Sequence, residues 1–297
     1  MEARHLLLLR DLAERGSVTA VAAATHRTAS AVSQQLRTAS RELGTVLVEP
    51  DGRGLRLTEA GRLLADGGAE VAAALERVQA RWDAFRGAPS GRVRLACLPS
   101  AAAFLLPEAL HTLGAEGIDL VCTDVDVAEA AYAGLVGDHD LVLAHSLTRG
   151  APAGTEGLLT RRIAREPLDI AMRAGHPLAA RERLRPTDLI APEWYGVPLG
   201  YPFDAVRLAV EEATGRRVRV VQRLRDNRLI EALVTGSDRI AVLPRFTTPT
   251  DGRLQLRPVV GIATARYVYA VARPDKAERL AVRRALEVFA QVGAAAG

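Results

Sequence analysis

The 297-residue sequence predicts an α/β protein in three parts. Residues 1–90 read as helices with one hairpin, and residues 91–297 alternate strands with helices. The breaker cluster Gly87-Ala88-Pro89-Ser90-Gly91 falls between them. Alternation over about two hundred residues allows two parallel sheets with a cleft between them. Charged residues make up 25% of the chain and the hydrophobic set 48%, which excludes a disordered chain and leaves material for buried cores.

Leucines at helical spacing predict a first helix over 4–14, ended by Gly16. Ser17 caps a short second helix over 18–24, and Thr25-His26-Arg27 forms a turn. Thr28 or Ser30 caps a third helix that ends at Gly44. Short β runs over 45–48 and 55–57 flank Glu49-Pro50-Asp51-Gly52-Arg53-Gly54, a hairpin pattern. A long helix follows over 58–86, with Leu64, Val71, Val78 and Phe85 at seven-residue steps and Leu75 and Trp82 on the other seam position. That is coiled-coil spacing, and a second copy of the helix is its simplest partner. Gly67 and Gly68 interrupt it, each costing about 1 kcal/mol against alanine.

Beyond the breaker, strands are expected at 93–97, 118–123, 141–144, 168–172, 195–199, 217–222, 240–243 and 266–272. Helices are expected at 100–113, 127–136, 204–214, 226–235 and 276–292. No stretch is long and apolar enough for a membrane span. The N-terminal leucine run is too short for a secretion signal, so a cytoplasmic location is expected. Cys97 and Cys122 are too few for a disulfide framework and fall inside predicted strands, where inert thiols are commoner than redox switches.

Two short helices joined by a tight turn, followed by a hairpin, form a winged helix-turn-helix pattern. The net charge of +4 is concentrated in residues 161–297, and residues 1–90 are nearly neutral, so DNA contact rests on local arrangement. Between His26 and Arg41 the chain has Arg27, Arg37 and Arg41 and no acid. Ser30, Ser33, Gln34 and Arg37 sit near the start of the third helix, where side chains reach base edges. Gln34 suits adenine and Arg37 suits guanine. Thr28 and the helix N-terminus can hold phosphate, and Arg53 at the wing tip can enter a minor groove.

Three stretches carry a resemblance from end to end. They are Ala31-Val32-Ser33-Gln34-Gln35-Leu36, Glu42-Leu43-Gly44, and Gly52-Arg53-Gly54-Leu55-Arg56-Leu57-Thr58-Glu59-Ala60-Gly61. His176-Pro177-Leu178-Ala179 and Gly236 through Ile240-Ala241-Val242-Leu243-Pro244 follow in order. On these residues the chain resembles LysR-type transcriptional regulators. The resemblance implies a winged helix-turn-helix over 1–58, a linker and dimerisation helix over 59–87, and an effector domain over 91–297. That domain has the two-lobed fold of periplasmic binding proteins, with lobe I at about 91–162 and 265–297 and lobe II at about 163–264. It implies a double-stranded DNA operator, a small-molecule effector and a homo-oligomer, commonly a tetramer, as partners. Two departures concern DNA: Glu49-Pro50 stands where an Arg is usual before the wing, and Ala29 replaces a Gln at the third helix's start.

In such a fold, ligands sit at strand carboxyl ends. Ser100 follows strand 93–97 and caps a helix whose backbone N–H groups at 100–102, Ala101 among them, favour an anionic effector. Thr123 ends a strand, and Tyr201 and Phe203 can supply an apolar wall with one hydroxyl. Ser146 is the opposing position that the resemblance supplies. No phosphate loop, dinucleotide fingerprint, nucleophile elbow or His-Glu-x-x-His occurs, so no catalytic set, cofactor or metal site is expected. Asp138-His139-Asp140 with His145 reads as strand-bounding residues rather than metal ligands. Residues 91–297 alone also permit a solute-binding protein or cleft enzyme carrying a dimerisation module.

Overall fold

The computed structural model describes residues 1–52, 54–85, 91–146 and 148–296. Three helices, α1 (Ala3–Arg15), α2 (Val18–Ala24) and α3 (Ala29–Leu43), surround a core that includes Leu9, Leu12, Val21, Val32, Leu36 and Leu47. Each boundary has a local cause. Gly16 and Gly44 take the left-handed conformation that ends α1 and α3, and the Ser17 and Thr28 hydroxyls accept from Ala20 N–H and Ala31 N–H. His26, in the turn between α2 and α3, is the one described non-glycine residue with positive φ, at 54°.

The hairpin β1 (Val48–Asp51) and β2 (Gly54–Leu57) pairs Asp51 with Gly54 at its turn end. Its first strand starts three residues later than the expected 45–48. The reason is that Val46 and Leu47 turn their carbonyls to Thr58, whose Oγ1 bonds Val46 O at 2.8 Å and whose N–H bonds Leu47 O at 3.0 Å. Pro50 thus enters a two-stranded sheet, where an edge tolerates it. The Thr58 hydroxyl also accepts from Gly61 N–H and opens α4 (Glu59–Phe85).

Helix α4 spans about 40 Å at 1.5 Å per residue. Gly61, Ala65, Gly68 and Ala72 are buried on one face, and α1 packs closely there. A Cβ on Gly68 would lie 2.3 Å from Leu6 O, so this glycine permits a backbone approach. Leu75, Val78, Trp82 and Phe85 are exposed, with the Trp82 and Phe85 rings stacked at 5.8 Å.

The rest is one continuous nine-stranded sheet serving two cores. In the first, β3 (Gly91–Cys97) lies parallel to β4 (Ile118–Asp124) and β5 (Leu141–Ser146). β11 (Ala265–Ala272) then joins β5 antiparallel, with α5 (Pro99–Ala115) and α9 (Leu280–Ala296) packed on this half. In the second, β7 (Glu193–Gly196) lies parallel to β8 (Arg219–Arg223) and β9 (Ile240–Pro244). α6 (Asp204–Thr214) and α7 (Asn227–Thr235) lie in this half.

The strand β6 (Leu159–Arg173) runs through both halves, and β10 (Leu254–Arg257) adds to its end. β6 pairs with β11 as far as Pro167 and with β9 from Leu168 onward. Ile163 and Ala164 belong to the first core and Leu168 to the second, so the lobes change at 167–168 rather than at the expected 162–163.

Three other expectations need correction. The helix expected at 127–136 is two 3-10 turns, Glu129–Ala131 and Ala133–Gly137, in a segment punctuated by Gly134 and Gly137. The helix expected at 276–292 is split into α8 (Pro274–Ala277) and α9. There Glu278 N–H and Arg279 N–H bond three residues back, which tightens and interrupts the helix. The expected strand 195–199 is β7, ending at Gly196, after which Val197 O accepts from Arg223.

Candidate effector cleft and DNA-reading helix

Ser30, Gln34 and Arg37 are exposed on one face of α3, with half-buried Ser33 beside them. Val32, Leu36 and Ala39 pack the opposite face. Arg37 Nη2 donates to Gln34 Oε1 at 2.7 Å. The amide oxygen that would face adenine is therefore taken, and the pair offers donors outward. Thr28 Oγ1 accepts from Ala31 N–H at 3.1 Å, leaving its own proton to donate. The wing acid Glu49 pairs with Arg56 across the hairpin at 2.9 Å, which neutralises the charge that departs from the family pattern. Arg53 lies outside the described residues.

Between the lobes lies a cavity of about 420 Å³, within the usual range for small-molecule sites. Of the six residues expected there, Ser100, Tyr201 and Phe203 line it. Ala101 is fully buried in the first turn of α5, and its N–H and that of Ala102 bond Leu98 O. Those two donors are spent inside the first turn and do not reach the cleft. Thr123 is exposed on the edge strand β4 rather than in the cavity. Ser146 is buried, with its Oγ 3.3 Å from Thr148 Oγ1.

The cavity floor is built by groups that sequence spacing does not connect. Arg266, on β11, is 1% exposed and pairs with Glu166 on β6, itself fully buried. Its Nε donates to Glu166 Oε2 at 2.6 Å and its Nη1 to Ser100 Oγ at 2.7 Å. The Ser100 hydroxyl therefore accepts from Arg266 and keeps its proton for a ligand. The guanidinium also lies 5.3 Å from the Phe203 ring centroid, across the cleft. His145 lines the same cavity, is 2% exposed and has no hydrogen-bond partner at either ring nitrogen. Burial, with Arg266 nearby, pushes its pKa down to about 3, so its ring is neutral. Tyr201 from lobe II donates to Asp126 O of lobe I at 3.3 Å, and the Phe104 and Phe246 rings meet edge to face.

A second set of charges joins α1 to lobe I. Arg10 Nη1 lies 3.3 Å from Asp275 Oδ2, and Arg273 reaches Glu14 at 2.5 Å and Asp275 at 2.6 Å. Arg15 pairs with Asp138 at 2.9 Å and donates to Gly137 O. Burial pushes the Asp275 carboxyl up, but Arg273 and Arg10 outweigh it and hold the pKa below the ordinary range. One strand, β11, thus carries Arg266 into the cleft near its start, and Arg273 follows its end, against the helical domain.

Asp138 and Asp140 are engaged by cations and backbone: Asp138 by Arg15, and Asp140 by Arg94 N–H and Arg279. Among the described residues, no group of three or more His, Cys, Asp or Glu side chains is arranged to hold a metal. Cys97 is buried and Cys122 half-buried. Burial raises both thiol pKa values above the ordinary range, with Cys122 adding to the rise at Cys97 and Asp124 to that at Cys122. Both thiols are therefore expected to resist iodoacetamide in the native protein and react on unfolding. Rapid native labelling of Cys97, read by mass spectrometry, contradicts this.

Two family models match the chain. "Bacterial regulatory helix-turn-helix protein, lysR family" covers residues 3–62, and "LysR substrate binding domain" covers 86–294. The HTH-type transcriptional regulator PcaQ of Agrobacterium fabrum is 30% identical over 179 residues, 59% of this chain. That match spans 56% of the length of PcaQ. The HTH-type transcriptional regulator TtuA of Agrobacterium vitis is 28% identical over 228 residues, 73% of this chain and 72% of that protein. A full-length OxyR variant from Pseudomonas aeruginosa shares the fold with a TM-score of 0.65 at 19% identity, covering 98% of this chain and 94% of that one. No helix among the described residues is long and apolar enough to cross a membrane. With a helix-turn-helix, a long helix and a two-lobed domain around a cleft, and with both family models matched in that order, the chain belongs to the LysR family.

Proposed function

We propose that this chain is a sequence-specific DNA-binding transcriptional regulator whose two-lobed domain senses a small molecule. The observation that carries the reading is the α3 face of Ser30, Ser33, Gln34 and Arg37, presented by a LysR-family helix-turn-helix on the same chain as a polar-floored cleft. Residues 1–58 read operator DNA, 59–87 dimerise, and 91–297 bind the effector. Lobe I takes in about 91–167 and 265–297, with β6 passing from one lobe to the other. The exposed Leu75, Val78, Trp82 and Phe85 of α4 are the surface a second copy covers, and tetramers form from such dimers in the cytoplasm. Thr28 and Arg53 hold phosphate and minor groove.

In the cleft, Ser100, Tyr201, Phe203, Arg266 and His145 contact the effector. A ligand that favours one lobe arrangement shifts β11 and with it the Arg273 contact to α1, so the DNA-binding domains change spacing. Chemistry on the ligand has no support from the site, and the relatives it matches are transcriptional regulators.

The donor-only Gln34–Arg37 pair matches the acceptor edge of guanine. Arg37→Ala is expected to weaken operator binding by about 1–3 kcal/mol and relax preference at one guanine. The test is footprinting on the DNA upstream of the chain's own gene against scrambled DNA across a salt series. A specificity ratio of about 10³–10⁷ supports the reading. Equal, weak binding that disappears with salt overturns it.

A further inference from the structure

The charges lining the cleft do not suit a simple anion. Arg228 is neutralised by Glu231 at 2.8 Å, and Arg266 by Glu166 behind it. Asp226 is committed to capping α7, where its Oδ1 accepts from Arg228 N–H and Leu229 N–H. Arg225 lies over the Tyr201 ring, 5.7 Å away, and its charge acts on Asp126 from beyond ion-pair distance, lowering that carboxyl's pKa by less than burial raises it. Asp124 and Asp126, at the carboxyl end of β4 and just after it, have no ion pair within 4.0 Å among the described residues. Carboxylates therefore outnumber guanidiniums along the cavity, even before Glu166 is counted. A dianion entering this site meets a net negative wall. A compensated anchor for one carboxylate nonetheless exists, in the Ser100 hydroxyl backed by Arg266.

Resting on the effector-sensing reading above, we propose that the effector is a compact zwitterion of the α-amino acid class. Its carboxylate meets Ser100, backed by Arg266, and its ammonium meets Asp124 and Asp126. His145, neutral and with both ring nitrogens unpartnered, supplies a further polar contact from the floor. An ammonium at Asp126 restores what burial takes from that carboxyl, whose pKa lies above the ordinary range chiefly through desolvation. Asp126 also accepts at its backbone carbonyl from Tyr201 of the opposite lobe. A ligand seated there touches the point where the two lobes are tied, which couples occupancy to lobe arrangement.

The experiment is calorimetric titration of the full-length protein with the common L-amino acids and their deaminated analogues, among them propionate, succinate, glutarate and 3-phenylpropionate. At least one amino acid is expected to bind at least about tenfold more tightly than its deaminated analogue. Asp124→Asn with Asp126→Asn is expected to invert that preference, weakening the amino acid about 10–100-fold and strengthening the analogue. Misfolding cannot produce an inversion, because it weakens both. Binding of only the deaminated acids or inorganic phosphate overturns the proposal. So does binding by neither set, or an equal loss of both in the double variant. Footprinting of the unliganded protein is scored separately. Specific protection keeps the regulator reading standing when the zwitterion fails, and its absence sinks that reading whatever the cleft binds.

Discussion

Glu166→Ala is expected to destabilise the folded chain by about 3–5 kcal/mol, because it strands the Arg266 guanidinium in a fully buried position. The pair itself is a poor source of net stability. Burial raises the Glu166 pKa above its ordinary value although Arg266 and a backbone N–H from Phe246 pull it down. A carboxyl whose folded pKa is raised holds its proton more tightly in the native state. Its titration therefore removes stability as pH climbs from the ordinary carboxylate range through the folded value. The cost of the single substitution is thus the cost of an orphaned charge. Replacing both members, Glu166→Leu with Arg266→Met, is expected to recover most of the loss, since two apolar residues fill similar volume without desolvated charge. The double variant folds but lacks the donor that backs Ser100, so ligand binding in the cleft falls while stability returns. Urea unfolding of the wild type, Glu166→Leu, Arg266→Met and the double variant measures the coupling. A Glu166→Ala loss within about 0.5 kcal/mol of zero places the variant among ordinary surface substitutions and refutes the buried-pair account.

That pair also marks the limit of what the sequence makes legible. The helical domain was readable because its signals are local. Ser17, Thr28, Gly16 and Gly44 sit where caps belong, and the Val32, Leu36 and Ala39 stripe is written within one helix. Ser100, Tyr201 and Phe203 were readable because they follow predicted strand ends. Glu166 and Arg266 stand one hundred positions apart, and only the antiparallel pairing of β6 with β11 makes them neighbours. A signal is present nonetheless: Arg266 is a lone charge in the otherwise uncharged run Ala265–Ala272, and His145 is a lone polar ring in the apolar run of Leu141–Ser146. A charge in such a strand must find a partner or a ligand. Most of β6 is not legible in the sequence because Arg161, Arg162, Arg165 and Glu166 break its apolar pattern, although β-pairing on both lobes keeps the backbone extended. The wing shifted because Thr58, thirteen residues from Thr45 in the chain, decides where the first strand begins by binding the carbonyls of Val46 and Leu47.

The two adjacent glycines of α4 should respond to alanine with opposite signs. By helix propensity alone, each substitution stabilises by up to about 1 kcal/mol. Gly67 faces open space, with nothing within 4 Å of an added Cβ, and Gly67→Ala is expected to realise that gain. At Gly68 the added Cβ would lie 2.3 Å from Leu6 O and 2.7 Å from Leu6 C, and these are backbone atoms of α1 that no rotamer change can move aside. Gly68→Ala must therefore push α1 from α4, with a net loss of about 1–3 kcal/mol. The effect extends beyond stability. Helix α1 carries Arg10, Glu14 and Arg15, whose partners Asp275, Arg273 and Asp138 lie on or beside lobe I, so displacing α1 strains those pairs together. Operator affinity should fall with Gly68→Ala and hold with Gly67→Ala, since α1 and α4 set the angle at which paired DNA-binding domains meet the duplex. Thermal melting and footprinting of the two variants side by side decide the matter. Equal shifts in Tm of the same sign would mean that α4 registers both glycines only as weak helix formers, and that the close α1–α4 approach plays no part in holding the DNA-binding domain.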